Sequence, residues 1–119
     1  MPQKHHEAER LTFSVSDDVT VSALLQLPRD AQALLVLAHG AGAGMAHPFM
    51  AAMADGLASR AIATLRYQFP YMERGSKRPD TPRIAHAAVR AAVAEAQRQL
   101  PGVPLFAGGK SFEIGRAYV

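Results

Sequence analysis

The feature that most constrains this chain is a run of six apolar residues, Ala33-Leu34-Leu35-Val36-Leu37-Ala38, that passes straight into His39-Gly40-Ala41-Gly42-Ala43-Gly44. A short unbroken apolar stretch ending in glycine is what a strand of a parallel sheet presents when both of its faces are covered. Elements on either side fit that reading. Residues 11–16 alternate apolar and polar, Asp17-Asp18 supplies a turn, and residues 19–27 resume as a second strand, so the pair reads as a hairpin. Pro28-Arg29-Asp30 ends it.

Beyond the glycines, Pro48 stands where a first helical residue belongs, and Phe49, Met50, Met53, Ala54 and Leu57 recur at helical spacing. Residues 61–67 form the next apolar strand, followed by a loop over residues 68–81. Thr81 is a natural N-cap ahead of Pro82, and Ala85, Ala88, Val89, Ala92, Val93, Ala96 and Leu100 make one stripe of a helix that Pro101-Gly102 stops. His86, Arg90, Glu95 and Arg98 fall mostly outside that stripe. Residues 103–107 are the last strand, leading into Gly108-Gly109-Lys110-Ser111. Hairpin, strand, helix, strand, helix, strand is the alternation of a mostly parallel sheet with helices on both faces.

Composition narrows the class. A chain of 119 residues holds one domain. Residues 1–10 read as a flexible tail and 11–119 as the domain. An apolar share of 49% argues against disorder, and the absence of Cys removes disulfides, thiolate metal sites and a Cys nucleophile. Thirteen Lys plus Arg against ten Asp plus Glu, with no long basic run, argue against nucleic-acid binding. No stretch is apolar for long enough to span a bilayer, and the first residues lack the apolar segment of a secretory leader, so a cytoplasmic protein is expected.

Two loops follow carboxyl ends of expected parallel strands, where open α/β sheets place their sites. Gly109-Lys110-Ser111-Phe112-Glu113 approaches the pattern G-x-S-x-G, a sharp strand-to-helix turn that exposes a nucleophilic serine. Gly109 meets its first demand and Glu113 fails the second. Glycines at 40, 42 and 44 allow a backbone N–H to aim at developing negative charge, with Ala41 or Gly42 as one donor and Phe112 as the other.

The stretches Val36-Leu37-Ala38-His39-Gly40-Ala41-Gly42-Ala43-Gly44-Met45, His47-Pro48-Phe49-Met50, Gln68-Phe69-Pro70-Tyr71-Met72 and Phe106-Ala107-Gly108-Gly109-Lys110-Ser111 together resemble one family. It is a bacterial group of dienelactone-hydrolase-like α/β-hydrolases, related to a regulatory subunit of the NSL histone acetyltransferase complex. The resemblance covers most of residues 11–111. It implies an incomplete three-layer α/β-hydrolase fold, Ser111 as nucleophile and an oxyanion loop at residues 39–44. The implied activity is serine hydrolysis of an ester-like or other acyl small molecule, with no cofactor and no metal.

The chain departs from the family after Ser111. A triad in this fold runs Ser, then acid, then His along the chain, whereas His5, His6, His39, His47 and His86 all precede Ser111 and Glu113 is the only acid after it. The expectation is therefore an amino-terminal half, a fragment or frameshift product, inactive alone because a serine without a base is a weak nucleophile. A non-catalytic interaction module on a hydrolase-like scaffold is the competing reading. With its last strand left bare, such a chain is expected to self-associate through that edge.

Other motifs point less far. A Walker A pattern ending in Lys110-Ser111 needs glycine where Pro104 stands, and a dinucleotide fingerprint counted from Gly40 or Gly42 lands on Met45 or His47. His39 is read as a buttress of the loop and His47 as part of a helix start. His86 is placed on an exposed helix face. Met45, Met50 and Met53 are read as core filling. Arg74, Lys77, Arg78 and Arg83 form either a solvated loop or a recognition surface for an acidic partner. Tyr67, Phe69 and Tyr71 either line an acyl pocket or pack a strand end.

Overall fold

A computed structural model describes residues 7–39, 44–76 and 78–109. Five strands form one mixed sheet in the order β1-β2-β4-β3-β5. Strands β1 (Glu9–Ser16) and β2 (Val19–Gln26) are the expected hairpin, with a register shift between Ser14 and Ser16. β1 begins at Glu9, two residues before the alternation that revealed it. β2 lies antiparallel to β4 (Ile62–Tyr67), which runs parallel to β3 (Ala33–Ala38).

β5 (Leu105–Gly109) runs parallel to β3 on its other side. This corrects the expected span of residues 103–107. Pro104 has no N–H and contributes only its carbonyl, which accepts from Leu34 N–H at 3.0 Å, so the ladder starts at Leu105. At its other end Gly108 and Gly109 are strand rather than loop, opposite Leu37 and Ala38.

Two main helices follow from the stripes read in the sequence. Helix α1 (Pro48–Ala58) buries Met50, Ala54 and Ala58, while Met53 is half-buried and Phe49 is exposed. Ala61 follows it at φ +64°, the left-handed turn that lets the chain leave the helix and enter β4 at Ile62. Helix α3 (Pro82–Gln99) is capped by Thr81, whose Oγ1 accepts from Ile84 N–H, and buries Ala88, Val89, Ala92 and Ala96. Glu95 is buried with them, contrary to the expectation from the stripe; Arg98 and Gln99 both donate to its carboxylate. A one-turn helix α2 (Pro70–Glu73) interrupts the expected loop and packs against β2 at Ser22. There Glu73 accepts from Ser22 N–H at 3.0 Å and from its hydroxyl at 2.9 Å.

From β3 to β4 the chain steps one way along the sheet, and from β4 to β5 it steps back past β3. Crossovers of one hand must then lie on opposite faces. Accordingly α3 packs on the face formed by Phe13, Val21, Ala23, Leu25, Leu34, Val36, Ala63, Leu65 and Tyr67, which is the main core. Helix α1 covers the other face, where Asp55 meets Gln26 of β2. The result is three layers of α/β architecture, as expected.

Candidate active site

The site grows from the tip of β3. Its parallel neighbours bring Ala38 opposite Tyr67 on one side and opposite Gly109 on the other. The chain segments leaving β3 and β5 therefore depart from adjacent strands at the same rim of the sheet. Ser111, Ala41, Gly42 and Phe112, the residues on which the sequence places nucleophile and oxyanion donors, lie outside the described residues. So do Lys77, Lys110, Glu113 and the tail histidines.

What the structure describes is how the glycine segment is held at both ends. On the upstream side His39 is 1% exposed, and its Nε2 accepts from Phe69 N–H at 3.1 Å. That bond fixes Nε2 as an acceptor, so a neutral His39 carries its proton on Nδ1. The ring meets Phe69 edge-on at 5.0 Å and lies 5.9 Å from Tyr71. His39 thus ties the end of β3 to Phe69, a structural role; residues 40–43 of the loop it is read to buttress lie outside the described residues.

Downstream, Met45 is tied by both of its backbone groups. Its N–H donates to Gln68 Oε1 at 3.3 Å, and its carbonyl accepts from Arg66 Nη1 at 3.1 Å. A Cβ on Gly44 would stand 2.7 Å from Gln68 Oε1, so a side chain there fits only if that flexible amide end shifts away from Met45 N–H. His47 donates its N–H to Gly44 O at 3.1 Å, and its Nδ1 caps α1 by accepting from Phe49 N–H at 3.1 Å. Arg66 itself is 3% exposed, and its Nη2 donates to Gln26 Oε1 at 3.0 Å. Gln26 Nε2 in turn donates to Asp55 Oδ1 at 2.6 Å. Burial lowers the pKa of the Arg66 guanidinium, and the Asp55 charge opposes this in part.

The sequence reading missed Arg66, Gln26 and Asp55. A charge in the middle of the otherwise apolar strand Ile62–Tyr67 was the available signal. Of the alternating aromatics, Phe69 and Tyr71 do line a cavity, of about 330 Å³, together with Pro79, Asp80, Pro82, Ala85 and His86. Tyr67 does not; it is core, 6.2 Å from Phe13 and 5.4 Å from Phe69. In the basic loop, Arg74 lies 3.6 Å from the Asp80 carboxylate, while Arg78 and Arg83 are exposed. The other oxygen of Asp80 accepts from Tyr71 N–H at 3.1 Å. His86 is exposed on α3, as expected.

The family defined by the alpha/beta hydrolase domain matches residues 31–117. The chain belongs to this family. Its α/β-hydrolase fold is shared with a serine hydrolase without lid from Xanthomonas campestris (TM-score 0.74, 20% identity, 94% of this chain and 54% of that one). A dienelactone hydrolase from Anabaena variabilis is similar at TM-score 0.70 and 20% identity, over 89% of this chain and 53% of the other. A cold-adapted esterase from an Arctic intertidal metagenomic library is similar at TM-score 0.69 and 21% identity, over 94% and 53%. The α/β-hydrolase chain thus spans about half the length of the solved structures it matches. No curated protein sequence matches it. Among the described residues, no helix is long and apolar enough to cross a membrane.

Proposed function

We propose that this α/β-hydrolase contributes the nucleophile and the oxyanion donors of a serine hydrolase acting on ester-like or other acyl substrates. Ser111 attacks the acyl carbon, and the N–H groups of Ala41 or Gly42 and of Phe112 receive the charge that develops on the carbonyl oxygen. One observation carries the reading: Ala38 and Gly109 are register partners on adjacent parallel strands. The strand ends from which the two segments continue are therefore neighbours, which supports a shared anion cradle.

No histidine of residues 1–119 follows Ser111. The base and its acid partner then come from outside these residues, and the 119-residue chain by itself hydrolyses esters no faster than an oxyanion hole alone allows. Loss of triad members costs on the order of 10⁴–10⁶ in turnover. A second reading, a non-catalytic interaction module, follows from the resemblance to the NSL regulatory subunit. Labelling with a fluorophosphonate probe separates the two. Slow labelling that mass spectrometry maps to Ser111, and that Ser111→Ala abolishes, is the result expected. A folded sample that stays unlabelled at high probe concentration points to the interaction module instead.

A further inference from the structure

We propose that the cavity between Phe69 and α3 is a binding pocket for an uncharged aromatic group, and, resting on the hydrolase reading, that it receives the aromatic part of the acyl substrate. Its position is the first support. The chain leaves β3 toward the α1 face and leaves β4 toward the α3 face, so the tips of these neighbouring strands flank a switch point, where open α/β sheets leave a crevice for ligands. His39 stands at one tip and Phe69 at the other, their rings in edge contact at 5.0 Å, and the cavity opens beside Phe69.

Size and lining select the ligand. A dry cavity of roughly 150 Å³ is enough to take up benzene. The volume of about 330 Å³ therefore admits one ring with a short substituent, and it lies at the small end of ligand pockets. Phe69 and Tyr71, whose ring planes differ by only 18°, line it together with the apolar Pro79, Pro82 and Ala85. Flat faces of this kind favour a flat guest. Charge selects against anions. The Asp80 carboxylate, its side chain 2% exposed, repels them; the Arg74 contact at 3.6 Å offsets part of its charge, and Oδ1, which makes no hydrogen bond, is open to a neutral hydroxyl donor.

The test uses the intact chain, proton NMR of the protein and fluorine NMR of three probes of one shape: 4-fluorobenzyl alcohol, 4-fluorobenzoate and 4-fluorobenzylammonium. The alcohol is expected to bind at low millimolar concentration, at least threefold tighter than either ion, and to shift the resonances of Tyr71 and His86. Ala85→Trp fills the cavity and is expected to weaken binding at least tenfold. Ala94→Trp, the same change at an exposed position of the same helix, is expected to leave it unaltered. If Ala85→Trp fails to fold, the shifts in the unsubstituted chain decide: changes centred away from Tyr71 and His86 overturn the proposal. Preference for either charged probe overturns the assignment of an uncharged group. Binding without fluorophosphonate labelling sinks only the hydrolase reading, and labelling without binding sinks only the pocket.

Discussion

The two faces of the sheet are built by different rules. Under α3 the contact is almost wholly apolar, from Phe13 through Leu34 and Leu65 to Ala92, and it is closed by volume alone. Under α1 a buried guanidinium, two amide side chains and an exposed carboxylate share the space with Leu37, Met45 and Met50. An apolar layer holds helices to strands but gives no direction to a backbone leaving them. A hydrogen-bonded layer does, and it lies on the face where the chain returns from the glycine segment into α1. The difference suggests that the α3 face carries stability and the α1 face carries geometry.

Substitutions at neighbouring positions of β4 break this contrast most directly. Arg66→Ala leaves the Met45 carbonyl and the Gln26 amide oxygen without their donor and is expected to cost about 1–3 kcal/mol for each acceptor left unsatisfied, read from urea midpoints. Leu65→Ala, one residue away on the opposite face, is expected to cost about 2–5 kcal/mol through the cavity it opens. The double change Arg66→Met with Gln26→Leu separates the two faces. An apolar replacement of the polar layer is expected to recover most of the stability lost in Arg66→Ala, because Met and Leu fill the space and no Gln26 amide oxygen is left buried without its donor. If the double variant is no more stable than Arg66→Ala, the α1 face carries stability too and the contrast fails.

A subtler measurement sharpens the contrast through Glu95, the polar intrusion on the α3 face. Desolvation pushes its pKa up, but the hydrogen bonds from Gln99 and Arg98 and the Arg98 charge outweigh that and hold it below its ordinary value. A carboxylate with a depressed folded-state pKa stabilises the protein fully above its unfolded value of about 4.3, and this contribution disappears as pH falls through the lower folded value. Stability should therefore decline below about pH 4.3, with a shallower acid limb in Glu95→Gln. Equal slopes in the two proteins would remove Glu95 from the account.

The smallest effect is expected at the margin of the α1 face. Among the described residues β5 is the outer strand, and Phe106, which shares that face with Leu35, is 52% exposed. At the opposite edge β1 offers Glu9, Arg10, Thr12 and Ser14 to solvent. A bare apolar edge invites pairing with another chain, whereas a polar one resists it. Phe106→Lys is expected to lower the apparent mass in concentration-dependent light scattering. A monomeric parent chain across that range would count against pairing through β5.

Much of the fold was legible because its strongest signals are periodic. The unbroken apolar run of β3 and the stripe of α3 follow from burial on two faces and on one. Helix α2 was not legible, since four residues are too few to show a period. β5 was shifted because glycine reads as loop, although here two glycines complete a ladder that β3 dictates. Glu95 was misplaced because burial of a carboxylate depends on partners three and four residues further on, Arg98 and Gln99, rather than on its own polarity. The chemical groups of the site were read from loop composition and family resemblance. Their supports, Arg66 and Gln68, act on the backbone of Met45 from 21 and 23 residues away, and no local pattern encodes that.

Those supports define how the segment between His39 and Met45 can be exchanged. A transplanted segment inherits three fixed points of attachment: the imidazole on Phe69 N–H, the Gln68 amide on Met45 N–H and the Arg66 guanidinium on Met45 O. Whatever sequence is placed between them, its two ends arrive already clamped, so the segment can be changed while the sheet beneath it is left untouched.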